Sequence, residues 1–368
     1  MNILIQMVHP AHYYYYRDTI ANLKRDGHKV FVAITTKDML EDLVRDAGLE
    51  YVNIQPVSHK KSKIGFMWDM MLREWRMIKL CLKHHIDLLT GSTVEVSTVG
   101  WLLRRYEINI GEDDATVVGK YINAIAPFVQ TRLTPVSCNN GKIEPKSVHY
   151  PGFLKLAYLH PNVFAPNKSV PEKYGIDTSK PYFLLRFSGL NAFHDTGVMG
   201  ISTEVAERIV EMLKPHGRIY ITSERELEPE FEQYRLKINP LDIHHILSYA
   251  ALYIGDSQSM ANEAAMLGTP SLRFNDFVGK KKIGVMEEME HAYGLTYGIS
   301  SHEPERLYAK IEELMAMPNL REEFQERRKK MLSEKIDVSV FLTWFIEHYP
   351  KSAEIVQKAD TDFWKQFR

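Results

Sequence analysis

Short apolar runs alternate with segments of helical periodicity along most of the chain. The first run covers residues 3–8 and precedes a helical pattern that ends at Gly27. Two more steps of the same kind predict strands at residues 29–34 and 51–54, separated by a helix that ends at Gly48. Strand–helix alternation with short loops is typical of a parallel sheet with right-handed crossovers. The pattern therefore predicts an α/β fold.

The alternation continues, pauses and restarts further along the chain. Residues 135–151 show no periodicity, and the segment from about residue 150 to residue 178 has the composition of a linker. The remaining predicted strands are residues 86–90, 108–110, 128–131, 182–187, 219–222, 252–254 and 271–274. The remaining predicted helices are residues 94–104, 203–214, 241–249, 279–293 and 303–315.

Two domains and a C-terminal segment follow from this arrangement. We expect an N-terminal Rossmann-like domain at residues 1–165 and a C-terminal Rossmann-like domain at residues 166–335. Residues 336–368 carry too many aromatic side chains for a solvated tail, so we expect helices there that pack back on the first domain. The strand ends of the two domains should face each other across a cleft, where small ligands bind.

Residues 252–274 are the strongest candidate for a ligand site. They predict a strand, a tight turn at residues 255–257, a helix, and a second strand after Gly268. Backbone N–H groups at such a turn bind anions, and Ser257 and Ser259 add hydroxyl donors. Glu263 lies four residues after Ser259, on the same helical face, where it can accept hydrogen bonds from a ribose. The alternative is an ordinary strand–helix unit capped by Ser257.

Residues 64–83 predict an amphipathic helix in a basic segment. Between residues 60 and 83 the basic side chains outnumber the acids Asp69 and Glu74. In one interpretation the helix packs on the sheet and its basic side chains are solvated; in the other it lies on anionic lipid or binds a lipid-linked acceptor. The two interpretations can coexist. The apolar positions at helical spacing are Ile64, Met67, Trp68, Met71, Leu72, Trp75, Ile78 and Leu82.

Candidate acid–base residues follow two strands of the first domain. His12 follows the first strand, and Glu112, Asp113 and Asp114 follow the strand at residues 108–110. One of these acids can serve as a general base whose pKa is raised by its like-charged neighbours. The alternatives are that Asp113 or Asp114 caps the next helix, and that His12 caps or packs.

The second domain carries its own histidines. His194 lies in a glycine-bearing loop after the strand at residues 182–187, so both a functional and a structural role remain open. His244 and His245 are expected on a solvated face, and Asp256 is explained by its turn. The first strand–helix turn of the chain lacks GxGxxG, which disfavours a nicotinamide dinucleotide.

Composition narrows the class of protein. The formal net charge of −1 over 368 residues gives no general attraction to nucleic acid. The two cysteines, Cys81 and Cys138, have no metal-ligand spacing and favour a reducing compartment. The sequence begins with a strand pattern and holds no run of about 18 apolar residues, which argues against a secretory signal and a spanning helix. We expect a cytoplasmic protein with no metal and no cofactor, and peripheral membrane contact through residues 60–83 stays the second interpretation of that segment.

The motifs resemble those of known families. Residues 255–270, GDSQSMANEAAMLGTP, are similar to the nucleotide-sugar segment of the non-hydrolysing UDP-N-acetylglucosamine 2-epimerases, with Gln258 and Ser259 where that family has two glycines. Two Rossmann-like halves and a C-terminal helix that crosses back resemble the GT-B glycosyltransferases. HPAHYYYYRD, APFVQTRLTP and LRFSGLNAFHD resemble a GT-B-like family, the domain of unknown function numbered 354.

The resemblance implies a metal-independent glycosyltransferase that uses a nucleotide sugar, most simply a UDP-sugar, in the synthesis of a surface polysaccharide or glycolipid. The acceptor would be a glycan or a lipid-linked molecule. The alternatives are a 2-epimerase-like enzyme and a non-catalytic protein that binds a nucleotide sugar or a glycan. Arg186 stands where the epimerases place a histidine.

Two sets of residues carry these roles. The implied nucleotide-sugar-binding residues are Arg186, Ser188, Ser223, Asp256, Ser257, Gln258, Ser259 and Glu263. The implied catalytic residues are His12, Glu112, Asp113 and His194, with His12 the first choice for the base and Asp113 the second.

Overall fold

The computed structural model describes residues 1–36, 39–57, 63–189, 200–280 and 282–368. The chain forms two compact units. Unit 1 consists of Met1–Val163 together with Lys335–Arg368, and unit 2 is the continuous segment Phe164–Glu334.

Unit 1 is built on a seven-stranded parallel sheet with the strand order β3-β2-β1-β4-β5-β6-β7. Its strands are β1 (Asn2–Met7), β2 (Lys29–Thr35), β3 (Tyr51–Gln55), β4 (Leu88–Gly91), β5 (Tyr106–Ile110), β6 (Thr131–Pro135) and β7 (Ser147–Tyr150). The order reverses between β1 and β4, the point at which open α/β sheets bind ligands.

Helices connect these strands. They are α1 (Pro10–Arg25), α2 (Leu40–Asp46), α3 (Lys63–Lys83), α4 (Val94–Leu103), α5 (Ala115–Ile125) and the short α6 (Leu156–Leu159), with a 3₁₀ helix at Gly141–Lys146. The start of α1 shows how the sequence sets a boundary: the His9 ring accepts a hydrogen bond from the Ala11 N–H, and Pro10 occupies the first turn. Gly27, with φ 88°, allows the turn after the helix.

The sixth strand begins three residues later than the apolar pattern predicts. Residues 128–131 were the expected strand, but the Val129 N–H bonds to the carbonyl of Ile125, and Val129 packs with Ile122 in the core beneath α5. The strand itself is β6. The aperiodic segment 135–151 also contains a strand, β7, which is too short to show a period.

Helix α3 presents a different face to the core than its apolar spacing predicts. Met77 and Cys81 are buried among core residues, and Arg73 is buried in an ion pair with Glu95 of α4. Five of the apolar residues that were expected to pack on the sheet are exposed instead: Met67, Trp68, Met71, Trp75 and Leu82. For these five the packed-helix interpretation is wrong.

Unit 2 contains a five-stranded parallel sheet with the order β12-β11-β10-β8-β9. Its strands are β8 (Tyr182–Phe187), β9 (Arg218–Ser223), β10 (Leu252–Gly255), β11 (Ser271–Phe274) and β12 (Thr296–Ile299). Its helices are α7 (Ser169–Lys173), α8 (Thr203–Leu213), α9 (Ile243–Tyr249), α10 (Gln258–Met266), α11 (Gly284–His291), α12 (Pro304–Met315) and α13 (Leu320–Glu334), with 3₁₀ helices at Pro229–Tyr234 and Pro240–Asp242.

The C-terminal helices complete unit 1. They are α14 (Val338–Glu347) and α15 (Lys351–Gln357), followed by a 3₁₀ helix at Phe363–Phe367. Helix α14 lies against α1, where the Asn22 amide donates to the Thr343 hydroxyl at 3.3 Å and the His28 ring lies 3.1 Å from the Glu347 carboxylate. Within the described ranges, no helix is long and apolar enough to cross a membrane.

Candidate functional site

The carboxyl ends of β8 and β10 meet at the point where the strand order of unit 2 reverses. β9 lies on one side of β8 and β10 lies on the other, which is the arrangement that opens a crevice at the ends of the strands. Gly255, the last residue of β10, is in register with Arg186 of β8 and with Arg273 of β11. The sheet therefore places an arginine on each side of the turn that begins α10.

The turn between β10 and α10 is held by a buried carboxylate. Asp256 accepts hydrogen bonds from the Ser188 N–H at 2.7 Å and the Ser188 hydroxyl at 2.5 Å, and its other oxygen accepts from the Ile201 N–H at 3.4 Å. Burial raises the pKa of Asp256, and the Ser188 hydrogen bonds oppose that rise. Because Asp256 and Ser188 bind each other, Asp256 holds the first residue after β8 against the turn. His194 itself lies outside the described residues.

In the first turn of α10, one serine caps the helix and another is exposed to solvent. The Ser257 hydroxyl accepts the Met260 N–H at 3.4 Å, so Ser257 is an N-cap, as the simpler of the two interpretations predicts. Ser259 is exposed. Gln258 is half-buried, and its amide oxygen accepts a hydrogen bond from Arg273 at 2.9 Å.

Glu263 lies half-buried on α10 next to a histidine. His244 of α9 is buried, and its Nε2 atom is 3.4 Å from the Glu263 Oε1 atom. The expectation that His244 lies on a solvated face is wrong, because the crossing of α9 and α10 covers it. The neighbouring His245 accepts a hydrogen bond from the Asn167 N–H at 3.1 Å.

Arg186 forms an ion pair with a residue that the sequence did not single out. Its guanidinium binds Glu224, which follows β9, and the second Glu224 oxygen accepts the Gly189 N–H at 2.9 Å. Ser223 does not point to Arg186 in this network; its hydroxyl donates to the Arg225 carbonyl at 2.7 Å. Glu224 thus positions Arg186 and the start of the loop after β8.

Three buried donors around Gly255 make no hydrogen bond within the part of unit 2 that the structure describes. They are the Nε atoms of Arg186 and Arg273 and the hydroxyl of Tyr253. A Cβ at Gly255 would come within 2.3 Å of the Tyr253 hydroxyl, so only glycine fits there. Sequence analysis missed Arg273 and Tyr253, because strand register, rather than any motif, brings them to the turn.

In unit 1, His12 and Glu112 are both connected to the segment 154–158. His12 stacks on Tyr15 with 6.0 Å between ring centroids, and Tyr15 contacts the ring of Tyr158 at 5.9 Å. Glu112 pairs with Lys155 and accepts the Leu154 N–H at 3.2 Å. Residues 154–158 therefore link the ends of β1 and β5.

The other two acids differ in exposure. Asp113 is exposed, whereas Asp114 is buried and accepts the Asn139 N–H at 2.8 Å. Asp114 occupies the N-cap position of α5, but its side chain makes no capping hydrogen bond. Among the residues that the structure describes, no group of three or more His, Cys, Asp or Glu side chains is arranged to hold a metal ion.

Comparison with solved structures finds proteins of the same architecture. The UDP-GlcNAc 2-epimerase from Neisseria meningitidis bound to UDP-GlcNAc is 13% identical, with 94% of this chain and 100% of that chain covered and a TM-score of 0.66. The S. aureus MnaA–UDP structure is 13% identical, with 95% and 97% covered and a TM-score of 0.63. The spinosyn forosaminyltransferase SpnP is 12% identical, with 97% and 99% covered and a TM-score of 0.62.

These similarities extend over nearly the whole length of both chains. The chain has the GT-B fold. No protein-family model matches the sequence, so the resemblance to the family numbered 354 stays a prediction. The search of curated proteins also found no match. The GT-B fold accounts for the two parallel sheets and for helices α14 and α15 of unit 1.

Proposed function

We propose that the protein is a glycosyltransferase that uses a nucleotide sugar and binds its diphosphate at the start of α10. The observation that carries the proposal is the turn at residues 255–257. It places the amino end of α10 at the carboxyl ends of the strands of unit 2, beside Arg186 and at the reversal of strand order. Helix amino ends and arginine side chains are the usual protein partners of phosphate oxygens.

The placement of the diphosphate at this turn also suggests which residues would contact the rest of the nucleotide sugar. The exposed Ser259 hydroxyl and the amides of the first turn of α10 would bind the diphosphate, while Ser257 holds the turn. Glu263 would accept the hydroxyls of the ribose, with His244 fixing the position of its carboxylate. We propose UDP as the nucleotide of the donor sugar, since two of the GT-B structures above contain UDP or UDP-GlcNAc.

The reaction we propose is transfer with inversion, without a metal ion. A base removes the proton of the acceptor hydroxyl, whose oxygen attacks the anomeric carbon while the bond to the diphosphate breaks. Arg186 and the helix amides stabilise the charge on the departing diphosphate. His12 is the proposed base, and Asp113 is the second choice.

The exposure of the acids favours transfer over 2-epimerisation. An epimerase removes the proton next to the anomeric carbon and eliminates the diphosphate, which requires several carboxylates at the site. Glu112 is paired with Lys155 and Asp114 is buried, so Asp113 is the one exposed acid of the three. A protein that only binds a nucleotide sugar or a glycan is the remaining alternative, and incubation of the protein with donor and acceptor separates the three functions.

The acceptor that we propose is a glycan or a lipid-linked molecule of a surface polysaccharide or glycolipid. A peripheral membrane contact in the segment 60–83 is part of this proposal. Residues 60–62 lie outside the described residues, and the remainder is helix α3.

Thermal shift against UDP-, GDP-, CMP- and dTDP-sugars tests the donor site. We expect one nucleotide class to raise the melting temperature, and Glu263→Ala to weaken its binding by more than about tenfold, which corresponds to a loss of about 1.4 kcal/mol. Ser257→Ala should also weaken binding, because it loosens the turn that presents the helix amides.

Ser202→Ala is the matched control for the serine variant. Ser202 caps α8 of the same unit through an equivalent 3.4 Å hydrogen bond from the Val205 N–H. Both variants should lose about 1 kcal/mol of stability, but Ser202→Ala should bind the nucleotide normally. The absence of a shift with every nucleotide sugar, or normal binding by Glu263→Ala, would contradict the proposed site.

A further inference from the structure

Helices α3 and α4 of unit 1 expose a group of large apolar side chains. Each member of the group has between 51% and 60% of its surface accessible to solvent. We call this group the α3–α4 surface. Its residues are Met67, Trp68, Met71, Trp75, Leu82, Trp101 and Leu102.

The two helices run side by side in the same direction. The middle of α3 contacts the first half of α4, where Arg73 pairs with Glu95 and the Thr98 hydroxyl donates to Glu74 at 2.6 Å. At their carboxyl ends, burial raises the pKa of Cys81 to about 12 while the nearby Arg105 charge opposes the rise. The exposed residues of the two helices therefore belong to neighbouring elements.

The exposed charges on this surface are all positive within the described side chains. Lys79, Lys83 and Arg104 are exposed, and the Lys79 ammonium lies 3.5 Å from the centroid of the Trp75 ring. None of the three acids in α3 and α4 is exposed. Asp69 is half-buried, Glu74 is half-buried and bonded to Thr98, and Glu95 is buried in its ion pair.

A concavity of about 550 Å³ opens at the carboxyl end of α4. It combines guanidinium groups with aromatic and apolar side chains, a lining that suits an anionic head group attached to a hydrocarbon chain. Its lining residues are Trp101, Leu102, Arg104, Arg105, Tyr106 and Gln130.

Arg104 adopts a backbone conformation that favours glycine. Its φ of 53° lies in the left-handed region, which disfavours a side chain by about 1 kcal/mol. Glycine at this position would relieve that strain, so the position can be changed without loss of stability.

The proposed function includes a membrane contact of α3, and the present inference rests on that contact. We propose that the α3–α4 surface makes it by docking on an anionic membrane, with the lipid phosphate group in the concavity beside Arg104 and Arg105. The tryptophan and methionine side chains would enter the interface between head groups and acyl chains, and the exposed lysines would lie near the anionic head groups. A symmetric contact between two copies is disfavoured, because it would place Lys79, Lys83 and Arg104 opposite their equivalents with no exposed acid on α3 or α4 to neutralise them.

Vesicle co-sedimentation of the full chain tests the proposal. We expect binding to vesicles of phosphatidylcholine with about 30% phosphatidylglycerol, weak or no binding to phosphatidylcholine alone, and weaker binding at higher salt. The double variant Trp68→Glu, Trp75→Glu should lose more than about tenfold in affinity, because it places two carboxylates in the interface.

Arg104→Gly separates binding from folding. It should bind anionic vesicles about fivefold more weakly, since one basic residue near an anionic surface contributes about a factor of five. It should also be at least as stable as the wild type, because glycine adopts the left-handed conformation without strain. Ile355→Glu, at an exposed apolar position of α15 in the same unit, is the control and should bind normally.

Three results would overturn the proposal. They are equal binding to neutral and anionic vesicles, unchanged binding of both the double variant and Arg104→Gly, and a stable wild-type dimer that the double variant dissociates. Donor binding is measured in unit 2 without vesicles, so failure of the membrane proposal and failure of the nucleotide-sugar site give different results.

Discussion

Glu107 is a buried carboxylate that forms no ion pair with any side chain in the described part of the protein. It lies on β5 and accepts hydrogen bonds from the Ser97 hydroxyl at 2.7 Å and the Gln130 N–H at 2.8 Å. Burial raises its pKa to about 7, although these hydrogen bonds and the charge of Arg132 act in the opposite direction. Glu107 thus changes charge near neutral pH while it is enclosed in the protein.

The raised pKa makes the stability of unit 1 depend on pH. The folded state holds the Glu107 proton to about pH 7, whereas the unfolded chain releases it near pH 4.5. Its stabilising contribution is therefore fully present below about pH 4.5 and is lost as the pH rises through 7. Glu107→Gln should remove this loss, which is on the order of 3 kcal/mol, because glutamine carries no charge. Its amide oxygen can still accept the Gln130 N–H, and its NH₂ group can donate to the Ser97 hydroxyl.

Urea unfolding between pH 5 and 8 measures the effect. The wild-type midpoint should fall over this range by more than that of Glu107→Gln. Glu354→Gln, at an exposed position of α15, should follow the wild type. Parallel pH profiles for wild type and Glu107→Gln would show that Glu107 does not titrate in this range.

Residues at a local turn could be predicted from the sequence, and residues brought in by tertiary contacts could not. The spacing of Ser257, Ser259 and Gly268 sufficed to define α10 and its cap, because these signals act within a few positions. His244 and Arg273 needed the helix crossing and the strand register. Nothing near either residue in the sequence indicates that it meets Glu263 or flanks Gly255.

At the scale of elements, α3 shows the limit of hydrophobic periodicity. The apolar residues do recur at helical spacing, but they occupy more than one face of the helix. The sheet-facing side takes Met77, Cys81 and the paired Arg73, and the aromatic side is left exposed. Periodicity gives the helix correctly but cannot tell which of two apolar faces meets the sheet.

The buried ion pair between Arg73 and Glu95 should contribute strongly to the packing of α3 against α4. Arg73→Met leaves the Glu95 charge buried without its cation and should lower the free energy of unfolding by about 3–5 kcal/mol. The control is Arg45→Met, which breaks an exposed pair with Asp42 and should leave the free energy of unfolding almost unchanged, because solvent screens that pair.

The double variant Arg73→Met, Glu95→Met distinguishes charge from packing. It removes both buried charges and should recover much of the stability lost in Arg73→Met. Urea unfolding of the four proteins gives these differences. A double variant as unstable as the single one would mean that the arginine acts through packing and its 2.6 Å hydrogen bond to Gln55 rather than through the ion pair.

At the scale of the whole molecule, the tryptophans are distributed unequally. All five, at positions 68, 75, 101, 344 and 364, belong to unit 1, and unit 2 has none. Tryptophan fluorescence therefore follows the unfolding of unit 1, whereas circular dichroism follows both sheets. Since each unit has its own sheet and core, the two signals need not share one transition.

A nucleotide sugar bound in unit 2 should separate these signals. At about 100 times its dissociation constant it should stabilise unit 2 by about 2.7 kcal/mol, which moves the dichroism transition to higher urea. The fluorescence transition should move less. Equal movement of both would show that the two units unfold as one.

The discontinuity of unit 1 also sets an order of events during translation. Unit 2 is one uninterrupted segment, so a ribosome completes all of its strands before residues 335–368 are made. Until then α1 lacks α14, and Thr131 lacks the Tyr349 hydroxyl that lies 2.8 Å away in the finished protein. While unit 2 is being made, the face of α1 that will contact α14 stays exposed to solvent. We therefore expect chaperones to bind the unfinished unit 1 rather than unit 2 during translation.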